Sequence, residues 1–307
     1  MNELPASPTA APRSLGLFPG QGSQRPGMAA WITDHPVAEK VLRRADEILG
    51  IPLRKLCTAG TAAELRATDV TQPAVVATSL ALMAVRRQRG WTPAAVAGHS
   101  LGEFTALAIA GVLDEESVLR LVRRRGELMA EVSARSDGAM SAVIGLPHEQ
   151  VETLCATVEV GLVAVANYNQ PAQTVVSGHT VAVAALEDLA RAAGALKVVR
   201  LKVGGPFHCA LMGEIADEFG AELDRYTMRP PTIPVFSAVT ADHVDDPAQI
   251  RALLRTQLVT PVRWVETIRR AVSEGYDELV ELGPGQVLTG FSRRIAPSIS
   301  SMTVSAP

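Results

Sequence analysis

The chain has 307 residues, of which 47% are apolar and 20% charged, with Lys+Arg 29 against Asp+Glu 32 for a formal net charge of −3. That length buries a substantial core, the composition is neither disordered nor membrane-spanning, and the charge balance argues against bulk binding to nucleic acid or anionic membrane. Cys57, Cys155 and Cys209 have neither metal-ligand spacing nor the density of a disulfide framework, so no metal is expected and a reducing, cytoplasmic setting is.

Residues 1–13, rich in Ala, Pro and Ser, read as a disordered tail rather than a signal peptide. No window reaches about 18 uninterrupted apolar residues, so no transmembrane span is expected. Leu15-Gly16-Leu17-Phe18 is a short strand running into Pro19-Gly20-Gln21-Gly22-Ser23-Gln24. No Gly-Lys-Ser/Thr follows, so this is not a P-loop. It is either an ordinary strand-to-helix turn or a site loop that aims the Gln21 N–H at a reacting oxygen. Apolar residues at helical spacing mark 37–49, ended by Gly50 and Pro52. Residues 61–66 form a short helical turn, and Pro73 opens a long apolar helix to about Arg87.

Ala95-Val96-Ala97 then enters Gly98-His99-Ser100-Leu101-Gly102, and an Ala/Leu-rich helix follows. Strand, Gly-x-Ser-x-Gly turn and helix together describe a nucleophile elbow, in which glycines make room for a strained serine. The helix start offers backbone N–H groups, Leu101 first, to a developing negative charge. His99 is expected to pack or hydrogen-bond locally. Asp114 caps a helix to about Arg135. Its apolar stripe is Val118, Leu121, Val122, Leu128, Met129 and Val132, and Arg125 falls in the middle of that stripe rather than on the charged face. A guanidinium there needs a partner. It is either a structural ion pair or a bidentate grip on a substrate carboxylate.

From Gly138 the order is strand, helix (148–158), strand to Tyr168, a turn at Asn169-Gln170-Pro171, strand, helix (180–193) and strand (196–203). That β-α-β-β-α-β series is a ferredoxin-like unit, with Cys155 facing its core and Asn167 and Asn169 as turn residues. Beyond Gly204-Gly205-Pro206-Phe207, a helix is expected from His208 to about Leu223, with His208 on its inward face and suited to act as a general base. A strand at 230–239, helices at 247–257 and 264–273, a strand ending at Leu282 before Gly283-Pro284-Gly285, and a helix at 288–295 complete the order, with the remainder a tail. The expected fold is α/β: an α/β-hydrolase-like parallel-sheet large domain, residues 14–137 and 204–300, with an inserted ferredoxin-like small domain, residues 138–203.

These residues suggest acyl transfer. Ser100 attacks a thioester, His208 takes its proton, and the N–H groups of Gln21 and Leu101 hold the oxyanion. The candidate acids between Ser100 and His208 sit mostly in helices of the inserted segment, so the orienter of His208 is either one of these or a main-chain carbonyl. Arg125 then implies an acyl group ending in carboxylate, and a carrier thiol as acceptor would separate transfer from hydrolysis.

The chain resembles the malonyl-CoA:acyl carrier protein transacylase family, including the acyltransferase domains of fatty acid and polyketide synthases, over about residues 15–296. Five motifs stand in order: Phe18-Pro19-Gly20-Gln21-Gly22-Ser23-Gln24, Gly98-His99-Ser100-Leu101-Gly102-Glu103, Arg123-Arg124-Arg125-Gly126, Phe207-His208-Cys209 with Gln257 before Pro261-Val262-Arg263-Trp264, and Glu281-Leu282-Gly283-Pro284-Gly285. The resemblance implies Ser100 and His208 as the catalytic pair, Gln21 and Leu101 as the oxyanion hole, Arg125 as the malonyl-carboxylate clamp, and the Gln257 carbonyl as the orienter of His208. It implies a malonyl-serine intermediate passed from malonyl-CoA to the phosphopantetheine thiol of an acyl carrier protein, with no bound cofactor, in a cytoplasmic monomer. Phe207 departs from the Ser often found there in free-standing bacterial members and is similar to malonyl-specific polyketide domains, where it narrows the acyl pocket. The other readings are a polyketide acyltransferase acting in trans, the transferase component of a malonate decarboxylase, a thioester hydrolase and a non-enzymatic carrier scaffold.

Overall fold

A computed structural model describes residues 12–304. The chain begins with β1 (Ser14–Phe18), α1 (Pro36–Leu49), α2 (Leu53–Ala59), α3 (Thr68–Gln88), β2 (Ala95–Gly98), α4 (Gly102–Ile109) and α5 (Glu115–Arg135). It then builds β3 (Gly138–Ile144), α6 (His148–Thr157), β4 (Val163–Gln170), β5 (Gln173–His179), α7 (Thr180–Ala192) and β6 (Lys197–Arg200). It closes with α8 (Gly213–Leu223), β7 (Val235–Ser237), β8 (Asp242–Val244), α9 (Pro247–Thr256), α10 (Trp264–Ser273), β9 (Glu278–Leu282), α11 (Val287–Ile295) and β10 (Ser300–Val304).

Six strands form one sheet in the order β10-β9-β1-β2-β7-β8, parallel except for the β7–β8 hairpin. Its inner strands β9, β1, β2 and β7 are buried on both faces, as a parallel sheet requires, while the edge strands β10 and β8 are partly exposed. Leu15, Leu17, Ala95, Ala97, Phe236 and Leu279 pack toward Trp264 and Ile268 of α10. Phe18, Val96, Val235, Val280 and Leu282 pack toward the helices on the other side, including α3 and α5. The chain moves from β1 outward through β2 and β7, then returns to the far side of β1 as β9, which makes the carboxyl end of β1 a switch point where α/β proteins bind ligands. The second sheet, β4-β5-β3-β6, is antiparallel with its two helices on one face, the ferredoxin-like arrangement expected from the sequence. One of its seams with the large domain lies where Tyr168 N–H donates to the Val262 carbonyl and Val262 N–H to the Ala166 carbonyl, each at 2.9 Å.

Several sequence expectations change. Helix α3 begins at Thr68, so Pro73 lies inside it. The proline leaves the Asp69 carbonyl without its helical donor, and the Arg123 guanidinium fills that place at 3.0 Å. This puts Gln72 in the helix interior, fully buried. The long helix has the length and composition of a membrane span, but 83% of its most apolar stretch is buried in the fold, which marks it as a core helix. Residues 1–11 of the expected tail lie outside the described residues, but Arg13 is anchored: its N–H donates to Asp277 Oδ1 at 2.8 Å and its guanidinium lies over the Tyr276 ring. The expected C-terminal tail carries β10, an edge strand in register with β9. Asn167 and Asn169 belong to β4, which runs through to Gln170, so they are strand rather than turn residues. Short elements α2 and β8, without a clear period of their own, have no counterpart in the sequence reading.

Candidate active site

The elbow is built as its sequence demands. Ser100 holds φ 51, the left-handed region, on the turn from β2 to α4. Gly102 fits there because a Cβ would stand 1.9 Å from the Phe18 carbonyl oxygen, and Gly98 because one would stand 2.0 Å from the Gly102 carbonyl carbon. The turn's own bonds use the N–H groups of Gly102, Glu103 and Phe104. Those of Gln21 and Leu101 donate to no protein acceptor among the described residues. The loop carrying Gln21 presses on the elbow: a Cβ on Gly20 would stand 2.6 Å from the His99 oxygen and 3.7 Å from the Leu101 nitrogen.

Ser100 Oγ lies 2.8 Å from His208 Nε2. His208 is not in a first helical turn. It sits in the loop ahead of α8 with φ 60, the same left-handed region as Ser100, because the chain bends there before a short 3-10 turn. Its Nδ1 faces two carbonyl oxygens, Gln257 at 2.9 Å and Thr260 at 3.1 Å. Carbonyls only accept, so Nδ1 carries the proton and Nε2 is left to accept from the serine hydroxyl. Burial, with the Arg125 charge beside it, pushes His208 down to about 3, so the ring is neutral at neutral pH.

Arg125 is 1% exposed on the inward face of α5. Gly126 lets that helix close on the start of α3, since a Cβ there would stand 2.8 Å from the Thr68 oxygen. One terminal nitrogen of Arg125 donates to Gln72 Oε1 at 3.1 Å, and the other to Gln257 Oε1 at 3.1 Å and Ser100 Oγ at 3.3 Å. Its Nε has no partner among the described residues. These acceptors are all neutral. Glu103 stands behind Gln257, with Gln257 Nε2 donating to its Oε2 at 2.7 Å. Burial pushes Glu103 up to about 7 and Arg125 down to about 10.

The groups converge on a cleft of about 200 Å³ between the two sheets, with Ser100, His208 and Arg125 on one side and Met140, Val175 and Phe207 among its apolar lining. His99 does not bond locally; its Nε2 lies 2.9 Å from Asn169 Oδ1 on β4, across the cleft, while its ring packs edge-on to Trp264. Ser100, Leu101, Gln21, Arg125, Phe207, His208 and Gln257 are thus brought to one place. Glu281 contributes differently, its two oxygens accepting the N–H groups of Leu288 and Thr289 at the start of α11. Sequence reasoning missed Gln72, Glu103, Thr260 and Asn169. A glutamine inside an apolar helix was the available signal for Gln72, and a lone acid in the buried helix after the elbow was the signal for Glu103. The arrangement can activate a hydroxyl, stabilise an oxyanion and hold an anionic group near the attacking atom.

A model of the acyl transferase domain matches residues 17–305. A malonyl CoA-acyl carrier protein transacylase of Salmonella typhimurium is 40% identical over 294 residues, covering 95% of each chain. Among solved structures, an acyl carrier protein S-malonyltransferase from Vibrio cholerae has TM-score 0.93 at 38% identity, covering 96% of this chain and 97% of that one. A malonyl-transacylase in complex with its type II PKS acyl-carrier protein has TM-score 0.94 at 39% identity, with 96% of each chain covered.

Proposed function

The chain belongs to the acyl transferase domain family, and on that premise we propose that it transfers malonyl from malonyl-CoA to the phosphopantetheine thiol of an acyl carrier protein. The similar proteins carry that activity in their names. The observation that carries the reading here is Arg125, a buried guanidinium 3.3 Å from the Ser100 hydroxyl whose partners are all neutral oxygens. Its charge remains available to an acyl group that ends in carboxylate.

In the first half-reaction Ser100 Oγ adds to the thioester carbonyl while its proton passes to His208 Nε2. The negative oxygen is held by the N–H groups of Gln21 and Leu101, and the imidazolium that forms is supported through Nδ1 by the Gln257 and Thr260 carbonyls. Collapse expels the CoA thiolate, which takes the proton from His208, and leaves a malonyl ester on Ser100. The carrier thiol enters by the reverse route and regenerates the serine. Arg125 holds the distal carboxylate throughout, and Phe207 limits the acyl pocket. The reaction needs no bound cofactor, and the free thiols of Cys57, Cys155 and Cys209 suit a cytoplasmic enzyme. A polyketide carrier as acceptor is the second reading, favoured by Phe207 and by the similar enzyme solved with such a carrier.

Intact-mass measurement after mixing with malonyl-CoA tests the proposal. The wild-type chain gains one malonyl group. Ser100→Ala gains none, with loading slower by at least about a thousandfold. A persistent adduct on Ser100→Ala would move the nucleophile elsewhere.

A further inference from the structure

Arg125 has its charge inside the protein and is held by amide oxygens, one of which belongs to Gln257. That amide has one permitted orientation. Its nitrogen faces the Ser100 main-chain oxygen at 3.2 Å and Glu103 Oε2 at 2.7 Å. A main-chain oxygen only accepts, so the NH2 group must point that way and Oε1 must face the guanidinium. A flipped amide would set donor against donor. Gln257 is 1% exposed and Glu103 3% exposed, so solvent is largely kept from correcting such an error. The same residue accepts the His208 Nδ1 proton through its main chain. Nucleophile, base and guanidinium are therefore all registered to Gln257.

We propose that the Gln257 side-chain amide, locked from behind by Glu103, positions the Arg125 guanidinium for the acyl carboxylate, so that selection of a carboxylate-bearing acyl group depends on this relay as well as on Arg125. The inference rests on the reading of Arg125 given above. Glu103 never touches the acyl group; it is a positioning residue acting through Gln257. Gln257 fixes the plane in which the two donors of Arg125 meet a carboxylate, and planar matching is what a guanidinium offers beyond its charge.

The test is the ratio of kcat/KM for acylation of Ser100 by malonyl-CoA over acetyl-CoA. Gln257→Met keeps the main-chain carbonyl under His208 and removes only the amide. The ratio falls by about tenfold, the effect of one hydrogen bond to a charged group, with the loss in KM for malonyl-CoA. Glu103→Met lowers the ratio less, because the Ser100 carbonyl still orients the amide. Glu103→Gln, which returns an acceptor oxygen to the same place, restores most of it. Equal losses for both donors in Gln257→Met would overturn the relay, and this single variant decides the matter even where Glu103→Met fails to fold. A wild-type chain with no preference for malonyl would instead bring down the reading of Arg125 itself.

Discussion

The two walls of the cleft are built on different terms. On the large-sheet side, backbone conformation sets the chemistry: Ser100 and His208 both hold left-handed φ values, 51 and 60, and glycines make the room the Ser100 elbow needs. Such conformations cost about 1–3 kcal/mol each and persist only where the surroundings enforce them. On the small-sheet side the backbone is extended strand, regular at Met140 and Val175 and shifted in register around Asn169, and the wall acts through those side chains. One wall has little freedom to vary, while the other can change the size and polarity of the cleft without disturbing the reacting groups.

Substitutions on the two walls should separate accordingly. Gly102→Ala drives a methyl group into the Phe18 carbonyl. It should lower unfolding free energy by about 3 kcal/mol in chemical denaturation, and loading should fall even where the variant folds, because the elbow must shift. Asn169→Ala removes the side-chain bond from the elbow to β4 and leaves His99 Nε2 without its hydrogen-bond partner. Thermal denaturation should show a loss of about 1–2 kcal/mol, with malonyl loading reduced less than about tenfold. An Asn169 variant as damaging as Gly102→Ala would end the distinction between the walls.

The smallest effect concerns pH. A histidine of ordinary value, 6.5, gains its proton as the solution turns mildly acidic, but His208 is held near 3 by burial and by Arg125. Its lowered value keeps it neutral, and so able to accept the serine proton, throughout the interval between 3 and 6.5. Single-turnover loading by malonyl-CoA should therefore change little between neutrality and about pH 5 on account of His208. Glu103, pushed up to about 7, also titrates there, and the Glu103→Gln variant removes it from the profile. A drop centred near 6.5 in that variant would show a solvated His208.

The same contrast explains what the sequence revealed. The elbow was legible because its steric demand is local: two glycines, a serine and the periods on either side stand within a few residues. Arg125 was legible because a charge in an apolar stripe conflicts with helical geometry. The β-α-β-β-α-β order of the small sheet followed from periodicity. Helical periodicity places His208 in a first helical turn, whereas its loop conformation depends on a bend that no period records. Gln72 hid behind Pro73, which looks like a helix start until the Arg123 guanidinium is seen filling the gap the proline leaves. The His99–Asn169 contact joins the elbow to a strand of the other sheet, 70 positions away, and β10 is a strand only because β9 lies beside it. Such contacts are properties of the assembled fold.

The most direct test of the account is single-turnover acylation of Arg125→Ala by malonyl-CoA and by acetyl-CoA, followed by intact mass. Loss of the guanidinium should slow malonyl loading by about a hundredfold, the effect of a bidentate charged contact, while acetyl loading holds or rises. Unchanged malonyl loading would contradict the claim that Arg125 makes this site one for carboxylate-bearing acyl groups.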